Sequence, residues 1–257
     1  MAIPEGHVAK AGKKVLGKKP GKDKNRGKGK ALAENLTEKT RVLVIDLDPQ
    51  GNLSFTYGAD GSGGNSLDML TGERTAGECV VHAPLGDIIP SSRLLSGADV
   101  SISDTGKEYR LKEALEAVAG EYDYIIVDTP PALGILTVNA LTACDSAIIP
   151  AQADVYSLQG IEQLGETVGA VKKYCNPGLY MEGILLTRYS PRAVLSRDIV
   201  TLMERTAAGL DTKVFKTKIR EAVSVREAQL LQQDIFAYAP KSNVAADYRA
   251  FLKELRC

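Results

Sequence analysis

The chain has 257 residues, 44% of them hydrophobic and 25% charged, with 32 basic and 32 acidic side chains and a formal net charge of zero. That is enough material for one large α/β domain or two small ones. Four widely spaced cysteines (Cys79, Cys144, Cys175, Cys257), no C-x-x-C and two distant histidines argue against a disulfide framework or a structural zinc site and fit a reducing cytoplasm; no apolar run approaches the ~20 residues of a membrane span, and the N-terminus lacks the apolar core of a secretory signal.

The charge is unevenly spread. Ten of the basic residues but only two of the acidic ones fall within residues 1–30, so a basic head precedes a mildly acidic body. Six Gly, many Lys and only scattered apolar residues give that head neither period 2 nor period 3.6, which predicts a disordered basic arm over 1–30. The domain then occupies 31–257. Residues 31–40 read as a short helix, and Arg41–Asp46 as an apolar strand buried on both faces. "GADGSGGNS" (58–66) is a loop, Leu111–Ala119 a helix and "YDYIIVD" (122–128) a second buried strand. Leu136–Thr142 starts a helix, "SAIIP" (146–150) is a third strand and Leu158–Tyr174 an amphipathic helix. "MEGILLT" (181–187) is a fourth strand, Leu195–Ala208 a helix, Lys213–Lys216 a short strand and Val244–Leu255 a closing helix. Strands alternating with helices predict a doubly wound, mostly parallel sheet with helices on both faces.

In open α/β sheets, ligands sit beyond the carboxyl ends of the strands. Two strands here end in acid: "VLVIDLDPQGN" places Asp46 at the strand end and Asp48 just past it, and "YIIVDTPPALG" places Asp128 there before a rigid Thr129-Pro130-Pro131 turn. An apolar strand ending in Asp is how nucleotide hydrolases hold magnesium, usually through a water. Either motif alone is also compatible with an ordinary strand-end turn; the two in full are much more specific.

With these stretches, "YDYIIVDTPPALGILTVNALTACDSAIIPAQADVYSLQGIEQL" and "EGILLTRY", the chain resembles the ParA/Soj branch of the deviant-Walker ATPases, from about residue 41 to the C-terminus. The resemblance implies an ATP- and Mg2+-dependent homodimer that binds DNA nonspecifically and moves plasmids or chromosome origins with a ParB-type partner, in the cytoplasm on the nucleoid. By the same resemblance Asp128 is the Walker B aspartate, Asp48 the carboxylate that positions the attacking water, and Asp46 a residue near the magnesium. Thr129 and Pro130 would meet the γ-phosphate. The stretch "KIREAVSVREAQ" (218–229), with Ile219 and Arg220, resembles a segment that lies against the adenine and then enters a helix.

The phosphate loop is the departure. The family's K-G-G-x-G-K-T-T wraps phosphates with backbone N–H groups and sets a Lys on the β/γ oxygens. Counting back from the D-x-D without a gap puts "KPGKDKNR" (19–26) on those positions, so that Lys19, Gly21 and Lys24 match while Pro20, Asp23, Asn25 and Arg26 do not. Pro20 removes a donor, Asp23 adds negative charge where phosphate should sit, and Asn25 replaces a hydroxyl ligand. Three readings of the head stay open: a diverged loop that still binds nucleotide, a basic tail on a pseudo-ATPase, or the product of a shifted reading frame. Each predicts a copy impaired in ATP binding to a different degree, and the pseudo-ATPase reading leaves a nucleotide-independent DNA-binding or interaction module. For DNA the candidates are Arg192, Arg220 and Arg226, making salt-dependent phosphate contacts. The C-terminal "ADYRAFLKELRC" reads as a packing helix and not a membrane-targeting one.

Overall fold

The computed structural model of the chain describes residues 40–190 and 195–255. The basic arm and residues 31–39 of the helix expected over 31–40 lie outside the described residues, and Thr40 is not helical. In chain order the elements are β1 (Val42–Asp46), α1 (Asn52–Tyr57), α2 (Ser66–Thr71), β2 (Val81–Ala83), β3 (Gly86–Ile89), α3 (Ala98–Ser101), α4 (Arg110–Glu116), β4 (Tyr124–Asp128), α5 (Ile135–Ala143), β5 (Ser146–Ala151), α6 (Val155–Tyr174), β6 (Tyr180–Leu186), α7 (Leu195–Gly209), α8 (Val223–Leu230), α9 (Ile235–Tyr238) and α10 (Asn243–Leu255).

Among the described residues the strands form two ladders, one in the order β2-β3-β1-β4 and one pairing β5 with β6. The β1–β3, β1–β4 and β5–β6 pairs are parallel, and only the β2–β3 hairpin is antiparallel. The alternation of side chains along each strand explains the helices on both faces. Leu43 and Ile45 of β1 pack with Leu111 and Leu115 of α4 and Leu136 and Ala140 of α5. Val44, between them, packs on the other face with Leu53 of α1 and Ile88 of β3. The second ladder repeats this: Ile149 meets Ile161 and Leu164 of α6 and Met203 of α7, while Ile148 and Leu185 meet Phe215 and the α10 residues Val244, Tyr248 and Phe251. Each such fully buried aliphatic side chain stabilises the fold by about 1.5–3 kcal/mol relative to exposure.

The strands and the longer helices fall where the sequence predicts them, with two differences. The β2–β3 hairpin was not expected, because "VHAPLGDII" shows no run of alternating residues long enough to read as two strands. The strand expected at Lys213–Lys216 is instead an isolated parallel bridge, Val214 against Ile184, held by Ile184 N–H to the Lys213 carbonyl (2.7 Å) and Phe215 N–H to the Ile184 carbonyl (2.9 Å). β6 is irregular there: its register with β5 shifts between Ala147 and Ile148, opposite Gly183. Gly183 (φ +156°) lets the two chains approach, since a Cβ at this position would lie 2.6 Å from Phe215 Cε2 and 3.0 Å from the Lys213 carbonyl oxygen.

Candidate functional site

β1 and β4 run side by side in a register that sets Asp46 directly opposite Asp128. Adjacent strands lie about 4.8 Å apart, so the two strand-end carboxylates share one edge. Leu47 N–H donates to the Asp128 carbonyl (2.8 Å) and carries the pairing one step past the strands. Asp48 lies two residues beyond Asp46, just past the strand end. All three are buried, at 0%, 3% and 4% exposure for Asp46, Asp48 and Asp128. Asp48 Oδ2 and Asp128 Oδ1 lie beneath the surface at this edge.

The sequence after β1 dictates a tight turn. Pro49 fixes its own φ, Asp48 Oδ1 accepts from Gln50 N–H (3.0 Å), and the Asp48 carbonyl accepts from Gly51 N–H (2.9 Å). Gly51 adopts φ +64°, a left-handed conformation that glycine takes without steric cost, and from it α1 starts. Helix α1 then returns Ser54 to the strand end. Asp46 Oδ2 accepts from both Ser54 N–H (2.8 Å) and Ser54 Oγ (2.7 Å), and Asp46 Oδ1 accepts from Asp48 N–H (3.0 Å). Burial pushes the Asp46 carboxyl up from 3.8 to about 6; the Ser54 hydrogen bonds oppose that shift, and the nearby Asp128 charge adds to it.

On the β4 side Thr129 is buried, Pro130 is buried and Pro131 is exposed. The turn leads into α5, where Thr137 Oγ1 donates back to the Ala132 carbonyl (2.6 Å). The structure thus brings together Asp46, Asp48, Asp128, Thr129 and Pro130. A cleft of about 800 Å³ opens beside the Asp48 turn, lined by Gln50, Asn52, Ser54, Phe55, Ser91 and Gln232 among others.

Lys19, Gly21, Lys24 and Arg192 lie outside the described residues. Ile219 is a core residue, buried with Leu185 and Phe215, and its backbone bonds Leu186 and Tyr189 at 2.8 and 3.0 Å. Arg220 makes a two-pronged ion pair with Asp247 of α10, Nε to Oδ2 at 2.7 Å and Nη2 to Oδ1 at 2.9 Å, which holds its guanidinium above its ordinary pKa. Arg226 is exposed on α8. Sequence reasoning passed over Ser54, Ser66 and Ser91. Ser54 stands two residues past the quoted "VLVIDLDPQGN", eight residues from Asp46; Ser66 and Ser91 are 20 and 37 residues from the groups they bond, and no local pattern marks them.

Among the described residues no group of three or more His, Cys, Asp or Glu is arranged to hold a metal ion by itself. The oxygen-only donors at the strand edge fit magnesium, a hard cation that keeps several waters and is held by one or two carboxylates together with substrate phosphates.

A mostly parallel sheet, helices on both faces and acids gathered at its carboxyl edge define an α/β domain with the fold of P-loop NTPases. A family model described as an AAA domain matches residues 18–181. That match begins upstream of residue 41, where the motifs first show the resemblance, and takes in the 19–26 stretch. The sporulation initiation inhibitor protein Soj of Bacillus subtilis is 39% identical over 220 residues, 84% of this chain and 86% of that one. The chromosome partitioning protein ParA of Myxococcus xanthus is 37% identical over 220 residues, covering 84% and 77%. The chain belongs to the ParA/Soj family. Among solved structures, a cobyrinic acid a,c-diamide synthase from Mycobacterium smegmatis with bound ADP and magnesium superposes with a TM-score of 0.70 at 32% identity, over 87% of this chain and 83% of that one. Apo McdA from Cyanothece shares the fold, with a TM-score of 0.76 at 22% identity over 88% and 90%. No helix among the described residues is long and apolar enough to cross a membrane.

Proposed function

We propose that the chain is a partition protein of the ParA kind, coupling ATP to homodimerisation and nonspecific DNA binding, working with a ParB-type centromere-binding partner in the cytoplasm on the nucleoid. The observation that carries this reading is the register that sets Asp46 opposite Asp128 with Asp48 just beyond. Soj and ParA are named for sporulation control and chromosome partitioning, and the mycobacterial structure holds ADP and magnesium.

In this reading Asp128 would hold magnesium, with Asp46 beside it as a second oxygen donor. Asp48 orients the attacking water, since its Pro49 turn fixes it beyond the strand end. Thr129 and Pro130 set the backbone that meets the γ-phosphate. Bound ATP with magnesium supplies the phosphoanhydride and the cationic charge that these acids lack. Phosphoryl transfer depends mostly on positioning and charge stabilisation, and here the phosphate-holding half is degenerate. Pro20, Asp23 and Asn25 weaken the cradle around Lys19, Gly21 and Lys24, so this copy binds and turns over ATP poorly. Of the DNA candidates Arg226 best suits a phosphate contact, being exposed; Arg192 is a second, and Arg220 is engaged by Asp247.

The test is a repaired chain in which residues 1–30 are replaced by a strand and K-G-G-V-G-K-T-T at 19–26. It should gain ATP binding and ATP-dependent dimerisation. In it Asp128→Ala should weaken the magnesium dependence, and Asp48→Ala should leave binding intact while slowing turnover about 100-fold. The reverse pattern would mean the two roles are exchanged. A repaired chain that still ignores ATP but binds DNA would instead support a nucleotide-independent module.

A further inference from the structure

The segment after β3 touches the Asp48 turn and the start of α5. At its near end the Pro90 carbonyl accepts from Ser66 N–H (2.8 Å) and Ser66 Oγ (3.1 Å), and Ser66 Oγ also donates to the Asp46 carbonyl (2.7 Å). Ser91 N–H donates to Ser54 Oγ (2.8 Å), the same hydroxyl that donates to Asp46 Oδ2. Ser91 Oγ donates to the Asp48 carbonyl. The chain then winds through a 3-10 turn, Arg93–Gly97, into α3. Leu95, Ala98 and Ile102 anchor this stretch in the same core as Leu43, Ile45 and Leu47 of the β1 region.

At the far end Asp99 Oδ1 accepts from Ile135 N–H (3.1 Å), the first amide of α5, which follows the Thr129–Pro131 turn. The fit is close: a Cβ at Gly134 would sit 3.2 Å from Asp99 Oδ2. A negative charge at a helix N-terminus is also favourable in itself. One short, core-anchored element therefore holds the backbone of the Asp48 turn at one end and the start of α5 at the other.

We infer that residues 90–99 form a strap that sets the Asp48 turn and the start of α5, just past the Thr129–Pro131 turn, in a fixed relation, with Ser91 and Asp99 as its positioning residues. Neither residue touches the reacting atoms; each acts through the turn it holds. The consequence for catalysis rests on the reading under Proposed function, whereas the mechanical link stands on the contacts alone.

Amide hydrogen exchange on the full chain separates the two. Asp99→Ala should speed exchange at residues 135–138 and also, across the strap, at Gln50 and Gly51, whose N–H groups close the Asp48 turn. Ser91→Ala should do the same in the opposite direction. Ser91→Thr, which keeps the hydroxyl, and Asp99→Asn, which keeps the acceptor oxygen, should restore protection at both ends. Purely local effects, each variant loosening only its own turn, would overturn the strap. In the repaired chain both alanine variants should lower kcat about tenfold with KM little changed, and the conservative variants should recover it. Unchanged kcat would remove the positioning role. A repaired chain with no turnover would count against the ATPase reading and leave the exchange result to decide the strap.

Discussion

Asp46 and Asp128 face one another at the ends of paired strands, whereas Ile219 and Arg220, picked from an equally recognisable motif, turn into the core and into an ion pair. The difference lies in what fixes each side chain. A strand end in a parallel sheet has its direction set by the pleat and its neighbour set by the register. The 213–220 segment forms no strand; its backbone meets β6 through an isolated bridge, Val214 to Ile184, and the Ile219 N–H bond to the Leu186 carbonyl (2.8 Å). Its side-chain directions depend on what packs there: Phe215 stacks edge-on against Phe251 at 5.1 Å, and Asp247 of α10 captures Arg220. The pleat and the register thus fix a side chain's direction at a strand end, whereas packing partners fix it on an irregular segment.

The largest expected effect is at the strand end. Burial raises the Asp46 carboxyl from 3.8 to about 6, so between these values the folded protein binds more protons than the unfolded chain. The stability Asp46 contributes is therefore complete below about pH 4 and is lost as pH rises through about 6, a change of about 3 kcal/mol. Urea unfolding of the wild type and Asp46→Asn across that range should show the wild type losing stability relative to the variant by about that amount. A difference independent of pH would mean that Asp46 is solvated more like an ordinary surface acid.

In the second region the tightest point is Gly183. Gly183→Ala should lower stability by about 2 kcal/mol in urea unfolding, because its Cβ would meet Phe215 and the Lys213 carbonyl. A neutral result would show that the 213–215 segment yields easily and is not held as the contrast requires.

How much of this was legible follows the same line. The strand-end acids, the doubly wound sheet and the helices on both faces are written in apolar runs and their period, because burial on both faces demands them. The β2–β3 hairpin was hidden because its strands are too short to show a period. Ser66, Ser91 and Asp99 were hidden because they act across the fold, with Asp99 36 residues from the amide it holds. Ile219, an apolar residue in a recognisable motif, is buried with Leu185 and Phe215, a packing role that the motif alone does not reveal.

A smaller effect distinguishes the two arginines. Arg226→Ala should weaken DNA binding and lower the slope of log affinity against log salt by about one phosphate contact. Arg220→Ala should leave that slope unchanged and instead lower the melting temperature slightly, since it loses a partly exposed pair. Equal slopes for both variants would merge the two residues into one DNA-binding face.

We propose that the acidic half of an ATPase site is built in this chain and that the 19–26 sequence makes a poor phosphate loop. Titrating the unmodified full chain with ATP and magnesium, by calorimetry or with a fluorescent analogue, tests it most directly. The account expects no saturable binding at micromolar nucleotide. Micromolar affinity that disappears on Lys24→Ala would contradict it and establish residues 19–26 as a working phosphate loop.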